Sequence, residues 1–500
     1  MKKWKCEVCG YIHSGETPPL SCPICGVEQE CFSALEISIE TKEPVTTDAW
    51  HCPVCSYLHH APAPPDTCPL CSATGSLFTP RHKDDAPVGS SDDIQQIVIL
   101  GGGIAGFTAA TEARRQSPHA TIVLVSREQS LPYYRLNLTR FLAGDIAEST
   151  LQIESAEWYE KHAVEYIHAE ATLIDREQKQ VHLRDGRQLG YDRLLLTNGA
   201  HPFIPPFPGA TRDGVTVLRT LEDARAILLR LRPGMHLVCI GGGLLGLETA
   251  GALARQGAVV TIVEGFSSLL PRQLPPRAGS MLRQRLEAEG MTVLCGETVK
   301  ELVGDESVQG VLLESGRLLP ATLVVVAVGV RPNSYLARQA GLTVNRGIVV
   351  DDRLVSSDPS ILAAGDVAEH RGILYGIWPA GYAQGAVAGC NAGGGKAVFG
   401  ALAASTRIKV LDIDLFSCGQ IHPEDASTTV YESENDGVYR AIFCCDGQLT
   451  GAVLYGDTSG AGRLKEIVES GRQISEFPEL AEMFPQLQQG HASSAFFGSA

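Results

Sequence analysis

The stretch Ile97-Val-Ile-Leu-Gly101-Gly-Gly103-Ile-Ala-Gly106 decides the fold of this 500-residue chain. A short β-branched apolar run is typical of a buried parallel strand, and this one stops at a glycine, where the backbone must turn tightly. The residues from Phe107 to Arg115 have helical character, so free N–H groups at the helix start would face a pyrophosphate. The stretch therefore predicts a strand–turn–helix unit that binds a dinucleotide.

A second copy of this pattern, Leu237-Val-Cys-Ile-Gly241-Gly-Gly243-Leu-Leu-Gly246, lies further along the chain. One G-x-G-x-x-G is weak evidence, but two in one chain indicate that electrons pass between two dinucleotides. The strand after the second copy, Val259 to Val263, ends in Glu264, which can accept hydrogen bonds from both ribose hydroxyls. A 2′-phosphate would be repelled by this carboxylate, so the sequence favours NADH over NADPH.

Composition sets the broad class of the protein. A hydrophobic content of 44% with 20% charged residues describes an ordinary globular chain long enough for several domains. The formal net charge of −16 argues against nucleic acid or anionic lipid as the main partner. No apolar run approaches the ~20 residues that span a bilayer, and the first residues lead directly into a cysteine motif. We therefore expect neither a membrane segment nor a signal peptide, and a cytoplasmic location.

The first eighty residues contain an internal duplication. The segment Trp4-Lys-Cys-Glu-Val-Cys-Gly-Tyr-Ile-His13 matches Trp50-His-Cys-Pro-Val-Cys-Ser-Tyr-Leu-His59, and a double proline and a C-P-x-C follow in both copies. Each copy reads C-x2-C-x12-C-x2-C, a spacing that can close a tetrahedral four-thiolate metal site. The predicted metal ligands are Cys6, Cys9, Cys22 and Cys25 in the first copy and Cys52, Cys55, Cys68 and Cys71 in the second.

The identity of the metal stays open at this level, because four cysteines at this spacing also suit zinc. The pattern W-x-C-x-x-C-x-Y-x-H followed by C-P-x-C resembles the short rubredoxin-like module of rubrerythrins, and this resemblance implies one redox-active iron per copy. In the second copy Ser56 and Ser72 replace Gly10 and Gly26. Glycine after such a knuckle lets backbone N–H groups reach sulfur, so the second copy is the one in which zinc is the stronger alternative.

Several further motifs surround the first glycine turn. The strand that ends at Val125 is followed by Ser126 and Glu128, so the group that holds the adenosine ribose stays open. Then come Leu131-Pro-Tyr-Tyr-Arg-Leu-Asn-Leu-Thr-Arg140, a strand ending at Thr197-Asn-Gly199, another ending at Gly329, and Ser360-Ile-Leu-Ala-Ala-Gly-Asp366. This ordered set resembles the two-dinucleotide flavoproteins of the pyridine nucleotide-disulfide oxidoreductase family, in particular NADH:rubredoxin reductases and the flavin domain of assimilatory nitrite reductases.

The resemblance implies roles for individual residues. The first glycine turn would hold the FAD pyrophosphate, Asp366 the ribityl hydroxyls, and Arg135 and Arg140 would lie along the cofactor. Glu248 would sit near the nicotinamide, and Trp378, at the start of a helix aimed at the flavin, against the isoalloxazine. The full set of expected cofactor-binding residues is Gly101, Gly103, Gly106, Glu128, Arg135, Arg140, Gly199, Gly241, Gly243, Gly246, Glu264, Gly329, Gly365 and Asp366.

The predicted architecture is α/β, with two Rossmann-like domains of the glutathione-reductase type between small four-cysteine domains and a small α+β C-terminal domain. In that last part the sequence predicts several strands, a hairpin turn at Asp446-Gly447 and a helix capped by Ser459. The expected domains are rubredoxin-like modules at 1–37 and 49–80, a FAD-binding domain at 94–211 and 329–400, an NAD-binding domain at 212–328 and a C-terminal reductase domain at 401–489.

No cysteine occurs between Gly106 and Leu196, so a thiol relay from the flavin is disfavoured. The favoured hypothesis is an NADH-dependent FAD oxidoreductase that passes electrons to fused iron–thiolate centres and then to a protein acceptor. By analogy with the family, this acceptor is rubrerythrin-like or flavodiiron-like, and a homodimer is compatible with the C-terminal domain. Two alternatives stay open: an NADH oxidase or nitrite-reductase accessory with zinc-bound docking modules, and a non-enzymatic redox sensor or scaffold.

Overall fold

The structure is a computed structural model. It describes residues 94–400, 413–422 and 428–489 continuously, together with the segments 2–6, 12–15, 32–35, 49–52, 58–59, 61, 63–66, 68, 75, 78–81 and 405–410. The chain divides into two compact units, of which the first contains the first three strands and the second contains residues 84–500. Among the described residues, no helix is both long and apolar enough to cross a bilayer.

Each N-terminal repeat contributes a three-stranded sheet. The first consists of β1 (Lys2–Cys6), β2 (Ile12–Gly15) and β3 (Phe32–Leu35), and the second of β4 (Ala49–His51), β5 (Leu58–His59) and β6 (Thr79–Arg81). The strand orders are β2-β1-β3 and β5-β4-β6, so in both repeats the first strand is central. This shared topology agrees with the duplication seen in the sequence.

The next part of the chain forms the first half of an α/β domain. Its elements are β7 (Gln96–Leu100), α1 (Ile104–Gln116), β8 (Thr121–Ser126), α2 (Leu138–Leu142), α3 (Ala156–Lys161), β9 (Val164–His168), β10 (Ala171–Asp175), β11 (Gln180–Leu183), β12 (Gln188–Gly190), β13 (Arg193–Leu196) and β14 (Ala200–Pro202). The strands β7, β8, β9 and β13 lie in one parallel sheet, and β10 to β12 form a separate antiparallel sheet.

A second α/β domain is inserted before the first one is complete. It contains β15 (Val215–Thr216), α4 (Leu221–Arg230), β16 (His236–Ile240), α5 (Leu244–Arg255), β17 (Val259–Glu264), α6 (Pro276–Ala288), β18 (Thr292–Cys295), β19 (Val299–Val303), β20 (Gly310–Leu313), β21 (Leu318–Pro320) and β22 (Leu323–Val326). The parallel sheet has the order β15-β22-β16-β17-β18. The apolar side chains of two inner strands, residues 237–240 of β16 and Leu323–Val326 of β22, are all buried, as continuous apolar runs predict.

The chain then returns to the first domain. It forms β23 (Val330–Pro332), α7 (Tyr335–Gln339), β24 (Ile348–Val350), β25 (Ile361–Ala363), β26 (Ala368–His370) and α8 (Trp378–Ala392). Strand β25 completes the first sheet in the order β25-β13-β7-β8-β9. Helix α8 packs closely on α1, since a Cβ at Gly385 or Gly389 would lie 2.4 or 2.3 Å from a carbonyl oxygen of α1. The α8 helix therefore covers the start of α1.

The C-terminal part forms an antiparallel sheet with a helical cover. It contains β27 (Ser405–Val410), β28 (Ile413–Gly419), β29 (Thr429–Asn435), β30 (Val438–Cys445), β31 (Gln448–Tyr455), α9 (Ala461–Ser470), α10 (Leu480–Met483) and α11 (Gln486–Gln489). The predicted hairpin at Asp446-Gly447 is present, and both residues have positive φ. The predicted cap was wrong: Gly460 is the N-cap of α9, while the backbone N–H of Ser459 donates to Asp457.

Candidate functional site

The first glycine turn is a backbone cradle at the carboxyl edge of the first sheet. Gly101 has a φ of +120°, and a Cβ there would lie 2.3 Å from the carbonyl oxygen of Thr197. A Cβ at Gly106 would lie 1.9 Å from the oxygen of Gly101, so α1 approaches the turn as only glycine allows. Gly103 is the N-cap of α1, and nothing lies within 4 Å of the place where its Cβ would be.

The second glycine turn repeats this geometry at the edge of the second sheet. Gly241 has a φ of +112°, and a Cβ there would lie 2.5 Å from the carbonyl oxygen of Ala327. At Gly246 the corresponding distance to the oxygen of Gly241 is 2.0 Å, and Gly243 is again an N-cap with open space beside it. Both turns thus present a helix N-terminus to open space, which is the arrangement that binds a pyrophosphate.

The strands that follow the two turns end in different residues. Glu264 ends β17, is 7% exposed, and accepts hydrogen bonds from the backbone N–H groups of Gly242 (2.6 Å) and Phe266 (2.8 Å). Its carboxylate is therefore held beside the second turn with lone pairs left over for ribose hydroxyls. Ser126 ends β8 in the first α/β domain and is also buried, and its hydroxyl accepts from the N–H of Glu128 at 3.3 Å.

Glu128, one of the residues expected at the adenosine ribose, lies in a polar network. Its two carboxylate oxygens accept from Tyr133 Oη (2.7 Å) and Arg135 Nη2 (2.6 Å), and Arg135 also donates to Tyr133 Oη at 2.8 Å. Burial raises the pKa of Tyr133 well above its usual range, so the phenol stays protonated. Arg140, expected along the same cofactor, lies in the last turn of α2 and is partly buried.

Asp366 follows β25 at the same edge of the first sheet as Gly101. One oxygen of its carboxylate accepts from Arg219 Nη2 at 2.8 Å, and each side chain of this pair is 24% exposed. The neighbouring Gly365 has positive φ, and its N–H donates to Gln384 Oε1 at 2.8 Å. Gly199 also has positive φ and lies close to Arg219, since a Cβ at Gly199 would be 3.5 Å from the Arg219 guanidinium. Sequence reasoning did not identify Arg219.

The start of α8 carries buried donors that no described group uses. Trp378 is 9% exposed, and its ring centroid lies 5.8 Å from that of Tyr134. Within the described part of the chain, neither Trp378 Nε1 nor Gln384 Nε2 has a hydrogen-bond partner. Buried donors of this kind normally find an acceptor. Together with the open N-cap at Gly103, they fit a bound group that is rich in acceptor oxygens and nitrogens, as a flavin dinucleotide is.

Glu248, expected near the nicotinamide, lies on α5 and faces the first domain. Its Oε2 accepts from Thr139 Oγ1 of α2 at 3.1 Å. Burial raises the pKa of Glu248 to about 7, although the hydrogen bond from Thr139 opposes this shift. Gly329, another expected binding residue, has a φ of +114° and accepts from the N–H of Phe203 at 2.9 Å, where the chain crosses back to the first domain.

The cysteines separate into two groups. Cys239 is fully buried below the second turn, and burial raises the pKa of its thiol to about 12, so it is a packing residue of the core. Of the predicted metal ligands, Cys52 and Cys68 are buried, and Cys6 is described only as the end of β1. Cys9, Cys22, Cys25, Cys55 and Cys71 lie outside the described residues. The sequence of each repeat nevertheless contains four cysteines, a set of residue types that fits iron or zinc.

Comparisons with known families agree with this geometry. Residues 95–388 match the family described as pyridine nucleotide-disulphide oxidoreductase, and residues 405–472 match the rubredoxin NAD+ reductase C-terminal domain. Residues 4–33 and 50–79 each match the rubredoxin-like domain of rubrerythrin. The recognition of these families and of the α/β fold class from sequence is therefore confirmed.

Individual relatives differ in how much of their length this chain spans. The NADH-rubredoxin oxidoreductase of Clostridium acetobutylicum is 31% identical over 77% of this chain and 97% of its own length. Its crystal structure aligns with a TM-score of 0.67 at 30% identity, over 78% of this chain and 98% of that one. A nitrite reductase [NAD(P)H] of Bacillus subtilis is 35% identical over 80% of this chain but only 50% of its own length. This chain thus spans about half the length of the nitrite reductases that it matches.

A third relative is a protein–protein complex. The covalent complex of putidaredoxin reductase with putidaredoxin aligns with a TM-score of 0.71 at 27% identity, over 75% of this chain and 93% of that chain.

Proposed function

This chain belongs to the pyridine nucleotide-disulphide oxidoreductase family and is an oxidoreductase, and we propose that it passes electrons from NADH, by way of FAD, to iron in its own rubredoxin-like domains. The observation that carries the proposal is the presence, in one chain, of two open glycine turns and two four-cysteine repeats. A two-electron donor site and a one-electron acceptor site on the same polypeptide suit such a transfer. An external protein would be the final acceptor of these electrons.

The first turn is the proposed FAD site and the second the proposed NADH site. FAD, when bound, supplies an acceptor for two electrons and a donor of single electrons. Gly101, Gly103 and Gly106 leave room for its pyrophosphate, Asp366 would accept from ribityl hydroxyls, and Trp378 would pack against the flavin ring. The N-terminus of α8 would stabilise negative charge on the ring.

The second turn is suited to NADH by Glu264. A 2′-phosphate there would meet a carboxylate whose two oxygens are already held in place by backbone N–H groups. Glu248 lies on the helix that begins at the same turn, and we assign it to the nicotinamide end of the nucleotide. Such positioning of two reactants supplies much of the rate in hydride transfer.

The proposed domains are rubredoxin-like modules at 1–37 and 49–80, FAD-binding segments at 94–211 and 329–400, an NAD-binding domain at 212–328 and a C-terminal domain at 401–489. Relatives named as rubredoxin reductases, and the complex of putidaredoxin reductase, support a small protein as acceptor. We propose a rubrerythrin-like or flavodiiron-like acceptor and a homodimer. Iron is proposed for both repeats, with zinc as the alternative in the second.

Metal analysis and anaerobic spectroscopy of the purified chain test this function. We expect FAD, iron, and ferric–thiolate absorption that disappears together with the oxidised flavin band when NADH is added. Colourless zinc in both repeats would overturn the transfer to iron and favour an accessory whose modules only dock. A flavin that NADH fails to reduce would instead favour a redox sensor or scaffold.

Paired cysteine variants assign the iron to its repeat. Cys22→Ser with Cys25→Ser should remove the ferric signal of the first repeat, and Cys68→Ser with Cys71→Ser that of the second. Reduction of the flavin by NADH should be unchanged in both variants, because neither pair belongs to the glycine turns. If the ferric absorption survives both pairs of substitutions, the assignment of iron to these cysteines is wrong.

A further inference from the structure

The connection between β15 and α4 belongs to the second domain and contacts the first domain through Arg219. Strand β15 lies in the second parallel sheet, and α4 buries Leu221, Ala224 and Ile227 in a hydrophobic cluster that joins the second domain to α2 of the first. Arg219 lies between these two elements and therefore belongs to the nucleotide domain. Its guanidinium nevertheless donates to Asp366, which follows β25 of the first sheet. The Arg219–Asp366 ion pair thus joins the two domains.

The backbone of this connection is fixed on both sides. The N–H groups of Arg219 and Thr220 donate to Asp223 Oδ2 at 2.9 and 2.8 Å, and the Thr220 side chain accepts from the N–H of Asp223. This reciprocal pair is a capping box that starts α4. The guanidinium of Arg219 therefore extends from a rigid helix start rather than from a loose linker.

The first domain holds the same segment through its own polar network. Arg135 donates to the carbonyl oxygen of Arg219, and the N–H of Leu221 donates to Tyr133 Oη at 3.1 Å. Arg135 and Tyr133 in turn contact Glu128, just beyond the end of β8. The Arg219 segment is thus bonded to both regions of the first domain that are expected to hold FAD, the end of β8 and the loop after β25.

We propose that Arg219 is a positioning residue for the FAD ribityl chain: from the nucleotide domain it orients the Asp366 carboxylate toward the cofactor. A carboxylate has two oxygens and about four lone pairs, so one bond from Arg219 leaves capacity for ribityl hydroxyls. The inference rests on the proposed function, in which FAD occupies the first turn. It follows that the affinity for FAD depends on the contact between the two domains, and this coupling is reciprocal.

FAD affinity measured by flavin fluorescence on the full-length chain tests this role without turnover. Arg219→Met should raise the dissociation constant for FAD about tenfold, the usual worth of a charged hydrogen bond. Arg219→Lys loses the planar guanidinium but keeps the positive charge. It should therefore retain most of the FAD affinity that Arg219→Met loses. The matched control is Arg225→Met: Arg225 also reaches from α4 to the first domain, where it bonds Glu148 at 2.5 Å, yet both groups are more than 40% exposed. This variant should change FAD affinity less than twofold.

A double-mutant cycle separates positioning from general destabilisation. If Arg219 acts through Asp366, adding Arg219→Met to Asp366→Asn should weaken FAD binding less than twofold further. Full additivity of the two substitutions would overturn the inference, as would equal losses in Arg219→Met and Arg225→Met. Either result leaves the proposed function intact if the unmodified chain still binds FAD and is reduced by NADH. A chain that binds no FAD would overturn both.

Discussion

The two glycine units of this protein, β7–α1–β8 and β16–α5–β17, have the same backbone geometry and differ in the residues around it. The turn glycines Gly101 and Gly241 have φ of +120° and +112°, and the close approaches at Gly106 and Gly246 are 1.9 and 2.0 Å. The strand that follows ends in serine in the first unit and in Glu264 in the second. In the proposed function, the glycines of both units leave room for a pyrophosphate, and Glu264 at the end of the second strand binds the ribose of NADH.

The two units also differ in how far the helix start is covered. Ala105 and Leu245 occupy the same position after the turn, but Ala105 is 5% exposed and Leu245 is 38% exposed. The difference arises because α8 packs on α1 through glycines, whereas α5 lacks such a cover at this position. Cover over the first residues of α1 suits a cofactor that is retained, and the exposed side chain at the start of α5 suits a nucleotide that exchanges in each cycle.

The largest expected effect comes from adding one methyl group to each unit. Gly106→Ala should give a protein that is purified nearly free of FAD, since the new Cβ collides with the Gly101 carbonyl and overpacking of this kind costs about 1–3 kcal/mol. Gly246→Ala should keep FAD but slow its reduction by NADH about 100-fold, within that range. FAD content and stopped-flow reduction measure the two effects.

Gly462→Ala is the control for these substitutions. Gly462 lies within α9, and no atom is within 4 Å of the place of its Cβ, so alanine should leave both FAD content and reduction unchanged. Loss of FAD in Gly246→Ala, to the same extent as in Gly106→Ala, would mean that the two turns do not serve different ligands.

A smaller effect is expected at the strand ends, where the units differ in sequence. Glu264→Ala should lower kcat/KM for NADH about tenfold and for NADPH much less, because a charged acceptor for the ribose is lost. Ser126→Ala, at the equivalent place in the first unit, should leave both efficiencies unchanged. The ratio of kcat/KM for the two nucleotides measures the effect, and an unchanged ratio in Glu264→Ala would make the assignment of Glu264 wrong.

The sequence predicted those features of the two units that depend on neighbouring residues alone, namely the strands and the glycine turns. The runs before Gly101 and Gly241 predicted buried parallel strands, and the structure has β7 and β16 there. The glycines were identifiable because a tight turn and a close helix approach need residues without a Cβ. Cys239 is fully buried because it lies within one of these apolar strands.

What the sequence did not predict depends on contacts between distant parts of the chain. Arg219 and Asp366 are 147 residues apart, and only the return of the chain to the first sheet brings them together. The bond between Thr139 and Glu248 spans 109 residues in the same way. The nearest local signal for Arg219 was the Thr220–Asp223 capping box beside it, which predicts a helix start but no partner across the domains.

The smallest expected effect concerns Glu248, on the helix that begins at the second turn. Because burial raises its folded-state pKa to about 7, the folded protein binds a proton there that the unfolded chain has lost above its ordinary value near 4.5. The stability that this proton contributes is fully present below the ordinary pKa and is lost as pH rises through 7. Thermal unfolding at several pH values should therefore show a decline in stability between about pH 5 and 7 that Glu248→Gln reduces.

Thr139→Val sharpens this test because it acts on the same group from the first domain. The Thr139 hydroxyl donates to the Glu248 carboxylate and lowers its pKa, so removing it should move the pH dependence of flavin reduction by NADH to higher pH. Ser280→Ala is the control, since its hydroxyl only bonds the backbone of its own helix, α6. If Thr139→Val moves the pH profile to lower pH or leaves it in place, Glu248 is not the group that titrates. The differences between the two units that then remain are Glu264 at the strand end and the exposed start of α5.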